Sequence, residues 1–166
     1  MKKLIFLVSI ALVCASACTK KSAQQVEDEG IFAEYTSYGV VATVQDGQVI
    51  ITREEGDLEG YGLPVLDENA RLQVEGLKGA CKGVYIGNRG GDPNPLLCML
   101  LEDGTVQAIN VLNAVMDGKF IAGDKVSGFT NIVKFGSYIQ SDEFTTTAVT
   151  YAVDKDGKKH EFSYDL

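Results

Sequence analysis

The hydrophobic and polar positions along this chain predict short β-strands joined by tight turns. β-Branched and apolar residues dominate residues 39–45 and 48–54, and Asp46-Gly47 lies between the two runs. Asp-Gly between such runs is a strong hairpin signal, because glycine tolerates the positive φ that a two-residue turn requires. A two-residue turn gives one apolar face, with cross-strand pairs Val44–Val49 and Ala42–Ile51. A three-residue loop with a bulge shifts this register.

The segment Ala80–Val111 has the pattern of a β-meander. Its predicted elements are strands at 81–87, 96–102 and 105–111, with a Gly- and Pro-rich loop at 88–95 and an Asp103-Gly104 turn. Leu96–Leu101 contains no polar residue, which is typical of a strand covered on both faces. We therefore expect this strand to lie in the middle of the β core.

The rest of the chain continues the same alternation with one interruption. Residues 111–116 have helical spacing before Asp117-Gly118, which predicts one short helix. Residues 31–38 form either a lead-in strand or a short helix, and residues 55–69 form a long irregular connection. Further strands are predicted at 71–77, 130–135, 144–153 and 158–164. Asp156-Gly157 joins the last two, and the pairing it predicts is Tyr151 near Phe162 and Val149 near Tyr164.

This inventory predicts an all-β fold. Three Asp-Gly hairpins, short strands and 18 glycines account for about eight or nine short strands with one short helix. A single antiparallel barrel is the preferred arrangement, since closure removes exposed strand edges. A two-sheet sandwich is the alternative.

Residues 1–17 indicate a signal peptide. Two lysines precede the apolar run Leu4–Val13, and Ala15-Ser16-Ala17 precedes Cys18. The apolar segment is shorter than the roughly 20 residues of a membrane-spanning helix. Small residues before a cysteine resemble the lipobox of bacterial lipoproteins, although Ala15 stands where leucine is usual. The resemblance implies cleavage before Cys18 and its acylation, which holds a protein to a membrane without a spanning helix. Simple secretion is the alternative.

The mature chain is predicted to be a flexible tether at 18–30 followed by a single β domain at 31–166. The tether is too polar to bury a core. Lys20 and Lys21 follow the lipid site, where surface-exported lipoproteins of the Bacteroidetes tend to carry acidic residues. We therefore favour an outer-membrane, periplasm-facing anchor over the cell surface.

The chain is acidic. Its formal net charge is −8, and it becomes −10 when Lys2 and Lys3 leave with the signal. This charge disfavours nucleic acid as a partner and is compatible with solvation or with a basic partner.

Cys81 and Cys98 are the two cysteines left after the signal and the lipid site are set aside. In an exported protein an even count suggests a disulfide, which would stabilise the fold by roughly 3 kcal/mol. Simple hairpin registers do not place the two residues opposite each other, so a bridge requires a bulge or a non-neighbour pairing. Two buried thiols are the alternative.

The sequence shows little sign of catalysis. His160 is the only histidine, and no nucleophile-elbow, Walker or dinucleotide-binding motif is present. One histidine and two cysteines are poor material for a transition-metal site. Carboxylates at Glu54, Glu55, Asp57 and Glu59 are compatible with Ca²⁺, but a solvated loop explains them better. We expect no catalytic residue, metal or cofactor.

The loop at 88–95 is the best candidate for a recognition surface. Its candidate binding residues are Tyr85, Asn88, Arg89, Asp92 and Asn94, since amides, carboxylates and a guanidinium suit hydrogen bonding to a ligand. The alternative is a simple turn, because Gly, Pro, Asn and Asp are the turn residues. Tyr35, Tyr38 and Tyr61 are further candidates for sugar stacking, with ordinary packing as the alternative.

The segment KGVYIGNRGGDPNPLLCMLLEDGTVQAINVLNAVMDGKF, followed by GFTNIVKF, resembles the C-terminal part of small uncharacterised envelope lipoproteins of gut Bacteroidetes. The resemblance covers about a third of the chain and contains no catalytic motif. It implies compartment and fold and carries no activity.

Together these features predict a membrane-anchored, non-enzymatic envelope lipoprotein that binds a glycan or a protein partner. One alternative is an envelope inhibitor or immunity protein that blocks a basic enzyme. The other is a small hydrolase that uses two carboxylates, which would have to share one cleft.

Overall fold

The computed structural model describes residues 25–56, 64–88, 95–141 and 146–162. These residues form eleven strands and one helix: β1 (Gln25–Gly30), β2 (Glu34–Ser37), β3 (Val40–Gln45), β4 (Gln48–Arg53), β5 (Arg71–Gln73), β6 (Cys81–Asn88), β7 (Pro95–Leu101), β8 (Val106–Asn110), α1 (Val111–Asp117), β9 (Ile132–Ser141), β10 (Thr146–Asp154) and β11 (Lys159–Glu161). The predicted signal peptide and Cys18 lie outside the described residues.

The strands form three antiparallel sheets. Their orders are β2-β3-β4-β5, β6-β7-β8 and β1-β9-β10-β11. Within each sheet most neighbours are consecutive in sequence, as the meander pattern predicts. The exception is β1, which pairs with β9, a strand distant from it in sequence.

The β6-β7-β8 sheet is covered on both faces. All seven residues of β7 are buried, and their side chains alternate between two hydrophobic clusters. Leu97, Met99 and Leu101 pack with residues of β3, β4 and α1. Leu96, Cys98 and Leu100 pack with residues of β9 and β10. The prediction of a central strand at Leu96–Leu101 is therefore confirmed.

The prediction of a mostly β fold with one short helix is confirmed for the described residues. The strand number was predicted too low, because the described residues alone form eleven strands instead of eight or nine. Two clusters on opposite faces of one sheet fit the sandwich alternative, here with three sheets. Closure into a single barrel stays a prediction.

The β3–β4 hairpin has the predicted register. Asp46 and Gly47 have φ values of 50° and 77°, as a two-residue turn with two left-handed positions requires. The pairs Val44–Val49 and Ala42–Ile51 are both present.

The register predicted for the last hairpin is wrong by one residue. Tyr151 pairs with Glu161 rather than with Phe162, and Tyr164 lies outside the described residues. The turn holds a left-handed Gly157, with φ 82°, whose N–H donates to the Asp154 carbonyl oxygen. A three-residue loop with this glycine shifts the pairing relative to a two-residue turn.

The helix α1 begins and ends where the sequence predicts. The Asn110 side chain accepts a hydrogen bond from the Asn113 N–H at 2.9 Å and caps the N-terminus. Gly118 adopts the left-handed conformation, with φ 63°, and terminates the helix. No helix among the described residues is long and apolar enough to cross a bilayer.

The predicted tether is too long at its C-terminal end. Residues 25–30 form β1, which pairs with β9. Glu29 forms an ion pair with Lys134 and accepts a hydrogen bond from the Tyr151 hydroxyl at 2.6 Å. Polar composition hid this strand, whose described contacts are backbone pairing with β9 and the contacts of Glu29.

Candidate functional site

Tyr85 is a core residue and not part of a binding surface. Its side chain is 2% exposed, and its hydroxyl donates to Ser137 Oγ at 2.8 Å. The Tyr35 ring packs on it with a centroid separation of 4.5 Å. Strand alternation turns Tyr85 towards the same cluster as Cys98, so its assignment to the recognition loop is corrected.

Asn88 is the other described member of the predicted recognition loop. Its Oδ1 accepts a hydrogen bond from the Tyr38 hydroxyl at 2.7 Å, and burial raises the pKa of Tyr38. This contact connects the end of β6 to the turn before β3, so both side chains have a structural partner. Arg89, Asp92, Asn94 and Tyr61 lie outside the described residues, and their binding roles stay predictions.

Cys81 and Cys98 are buried thiols that form no disulfide. Cys81 pairs with Leu101 and Cys98 with Tyr85 across β6 and β7. Cys81 packs in the cluster with β3 and β4, whereas Cys98 packs in the cluster with β9 and β10. The predicted bridge is therefore wrong, because the two side chains point to opposite faces of the central sheet.

His160 is paired with a carboxylate at a hairpin. Its Nε2 lies 2.8 Å from Asp154 Oδ2, and its ring packs near Phe129. The His160 contact is the main cause of the lowered pKa of Asp154. Asp154 also accepts from the backbone N–H groups of residues 156 and 158, so the pair stabilises the β10–β11 turn.

The described part of the chain contains no group of three or more His, Cys, Asp or Glu side chains arranged to hold a metal ion. Glu54, Glu55 and Glu68 do line a shallow depression of about 210 Å³ together with Arg53. One of them has a structural role, since the Glu54 carboxylate accepts from the Gly39 N–H at 3.1 Å. Asp57 and Glu59 lie outside the described residues.

Another depression lies along the edge of the central sheet that β8 forms. Among the described strands, β8 pairs with β7 alone. A hollow of about 470 Å³ lies between β8 and α1, and its lining includes Ala108, Asn113, Asp117, Lys119 and Ile121. A second hollow of about 380 Å³ lies on the other side of the strand and shares Ala108 and Asn110 with the first. We refer to the two hollows together as the edge groove.

Backbone hydrogen-bonding groups of β8 point into the edge groove. The Leu101 N–H donates to the Thr105 carbonyl oxygen at 2.9 Å. The backbone N–H and C=O groups of residues 105, 107 and 109 therefore point towards β7. Those of the alternate residues 106, 108 and 110 point away from it. The Val106 carbonyl oxygen accepts a hydrogen bond from the Val126 N–H at 2.8 Å. The backbone N–H and C=O of Ala108 have no hydrogen-bond partner among the described residues.

The chain segment 121–127 limits the edge groove at one end, and Gln107 fixes this segment in place. The Gln107 side chain is fully buried. Its amide nitrogen donates to the carbonyl oxygens of Gly123 at 2.6 Å and Gly76 at 3.1 Å. Its amide oxygen accepts from the Lys78 N–H at 2.7 Å. The amide thus connects β8 with residues 76–78 and with the segment 121–127. This segment covers the edge of β8 up to Gln107, so the accessible part of the edge begins at Ala108.

Two of the four charged side chains that line the edge groove are ion-paired. Lys125 forms an ion pair with Asp103, which lowers the pKa of that exposed carboxyl together with hydrogen bonds from Thr105. Lys78 and Asp124 form a second pair, and Lys78 lowers the pKa of Asp124. Asp117 belongs to neither pair and lies at the C-terminal end of α1, where no basic residue occupies the last turn.

The groove also has apolar surface. Ile121, which lines the helix side, is 57% exposed. Leu96 and Val126 line the other hollow. The sequence predicted the strand and the helix that build this groove, but not their arrangement as its walls. The available signals were the Asn110 cap and the break in alternation at the end of β8.

No protein-family model, no curated protein and no solved structure matches this chain in comparisons with known proteins. The geometry of the site is therefore the basis for a functional interpretation.

Proposed function

We propose that this chain is a lipid-anchored, non-enzymatic protein of the cell envelope that binds a glycan or protein partner in the edge groove. The observation that carries the proposal is the edge of β8, where backbone groups of Ala108 that have no partner among the described residues face a groove with polar and apolar walls. Binding sites in proteins commonly combine apolar walls with a few directed polar groups.

The groove lining supports binding over catalysis. Asp124 and Lys125 are each paired with a partner outside the groove. Asp117 and Lys119 remain, and no histidine stands among the described lining residues to activate the Ser127 hydroxyl as a nucleophile. The other polar groups are amides and a hydroxyl, which suit recognition.

The anchor is proposed at Cys18, with residues 1–17 removed as a signal peptide. Support comes from the apolar run and the small residues before Cys18. The lysines at 20 and 21 favour attachment to the outer membrane facing the periplasm. A Cys18→Ala variant is expected to leave the membrane fraction of the cells, and unchanged fractionation would argue against anchoring.

The binding proposal is tested by photo-cross-linking in the native envelope. A photoreactive amino acid replaces Asn113 in the full chain, and the matched control carries it at Asn69, an exposed position away from the edge groove. We expect a specific adduct from position 113 and none from position 69. Equal labelling from both positions, or no adduct from 113, would contradict the groove as the binding site.

A further inference from the structure

We infer that the partner in the edge groove is a protein, which adds a short extended peptide segment with a basic side chain to β8 as an extra strand. This inference rests on the proposed function and names the partner class and the mode of binding.

The hydrogen-bonding groups at the edge match a peptide backbone. Ala108 directs both its N–H and its C=O outward, and the next outward N–H belongs to Asn110. An extended peptide presents an N–H and a C=O on one edge at every second residue, the same repeat as the strand it joins. Strand addition to a free sheet edge is a recurring mode of peptide recognition.

The two hollows fit the alternating side chains of a strand. They lie on opposite faces of the sheet on either side of β8, with Ile121 and Asn113 in one and Leu96 and Val126 in the other. Successive residues of an added strand project to opposite faces. Each hollow would therefore receive alternate side chains, and the small Ala108 side chain leaves room beside the strand.

Asp117 and Lys119 both line the helix-side hollow, and a basic residue of the peptide would pair with Asp117. Asp117 stands at the C-terminal end of α1, where the partial negative charge of the last carbonyl groups adds to its own. The whole chain carries a formal charge of −8. A lysine or arginine on the helix side of the added strand would lie close to Asp117.

The length of the open edge argues for a short segment and against a second copy of this chain. The contact between Val126 and Val106 closes the edge at one end, and α1 begins directly after Asn110 at the other. Two or three peptide residues therefore pair with β8. Stable dimers bury at least about 1,200 Å², which so short an edge does not provide by itself.

The experiment selects decapeptides from a random library displayed on phage against the full chain held in detergent micelles. Enriched peptides are synthesised, and their affinities are measured for the original chain and for two variants at one position. Ala108→Pro removes the outward N–H at a place where edge strands tolerate proline. Ala108→Gly is the matched control, because it keeps the N–H. Thermal unfolding checks that both variants fold.

We expect enriched peptides to be β-forming and to carry a lysine or arginine. Loss of backbone hydrogen bonds in Ala108→Pro should weaken binding by about tenfold or more, whereas Ala108→Gly stays within about twofold. N-methylation of the peptide backbone amide that faces Ala108 should weaken binding as much as Ala108→Pro does. Asp117→Lys changes an exposed side chain and should weaken binding in a salt-dependent manner, with thermal unfolding again as the check on folding.

Three outcomes would overturn the inference. One is the absence of enriched peptides, and another is equal affinity for the proline and glycine variants. The third is a concentration-dependent dimer that Ala108→Pro abolishes, since this would assign the edge to a second copy. If position 113 cross-links to a glycan while no peptide is selected, the peptide inference fails and the proposed binding site stands. If position 113 gives no adduct at all, the proposed function itself fails.

Discussion

The side-chain amide of Gln107 donates a hydrogen bond to the carbonyl oxygen of Gly123 at 2.6 Å, and this contact sets one limit of the open edge of β8. The same amide bonds to Gly76 and Lys78. One buried polar side chain thus determines how three segments meet beside the candidate binding site.

Replacement of Gln107 by leucine should lower the free energy of unfolding by about 2 kcal/mol, because two carbonyl oxygens and one N–H lose their partner. Urea denaturation followed by circular dichroism measures the change. Gln73→Leu is the control, since Gln73 bonds to Gln48 on the exposed face of its sheet. We expect that control to remain within about 0.5 kcal/mol. Equal losses in both variants would contradict the role of Gln107.

Cys81 and Cys98 should stay reduced in air and should react with a thiol reagent only after unfolding. Both residues are buried on opposite faces of the sheet, and burial raises the pKa of Cys81 to about 11. Mass spectrometry of the two cysteine-containing peptides, from native and urea-treated protein, measures the labelling. A peptide pair linked by Cys81–Cys98 would refute the assignment.

The raised pKa of Cys81 also predicts a loss of stability at high pH. The folded chain holds the thiol proton more tightly than the unfolded chain, so this contribution is complete below pH 9 and disappears as the pH rises through about 11. Unfolding free energies of the original chain and Cys81→Ala, measured from pH 8 to pH 11, test this. The variant should show the smaller decrease.

Glu29→Gln should destabilise the chain by about 1 kcal/mol, because it removes the charge that pairs with Lys134 and weakens the bond from Tyr151. The Lys134 contact is the main cause of the lowered pKa of Glu29. The contribution is therefore present above the unfolded-state pKa and is lost as the pH falls through the folded-state value. Chemical denaturation should show a larger difference between the chains at pH 7 than at pH 3.

Glu55→Gln is the matched control for Glu29, since Glu55 is exposed. It should leave stability at pH 7 within about 0.5 kcal/mol of the original chain. If Glu29→Gln were as stable as this control, residues 25–30 would belong to the predicted tether and not to the folded domain.

Gly87→Ala should cost about 2 kcal/mol or more, because an added Cβ would lie 2.2 Å from Thr150 Oγ1 and 2.9 Å from the Tyr85 ring. Gly123→Ala is the matched control, because no atom lies within 4 Å of the added Cβ there. The difference in midpoint of thermal unfolding measures the effect. Similar midpoints for both variants would mean that β6 and β10 are not packed this closely.

Local sequence determined most of the strands, the helix and one hairpin register. Asp46-Gly47 fixed the pairing of Val44 with Val49, because a two-residue turn with two positive φ values allows only that register. The apolar run in β7 indicated a strand buried on both faces. At Asp156-Gly157 the same dipeptide forms a longer loop, and nothing local distinguishes the two turns.

What only the tertiary structure decided is how distant segments meet. The faces on which Cys81 and Cys98 lie depend on the register of β6 with β7 and on its bulge, and the burial of Tyr85 follows from the same pairing. The strand β1 forms by backbone pairing with β9 and by contacts of Glu29 with residues more than 100 positions away. The edge groove requires β8 to be the last strand of its sheet, which depends on long-range pairing that a strand's own residues do not encode.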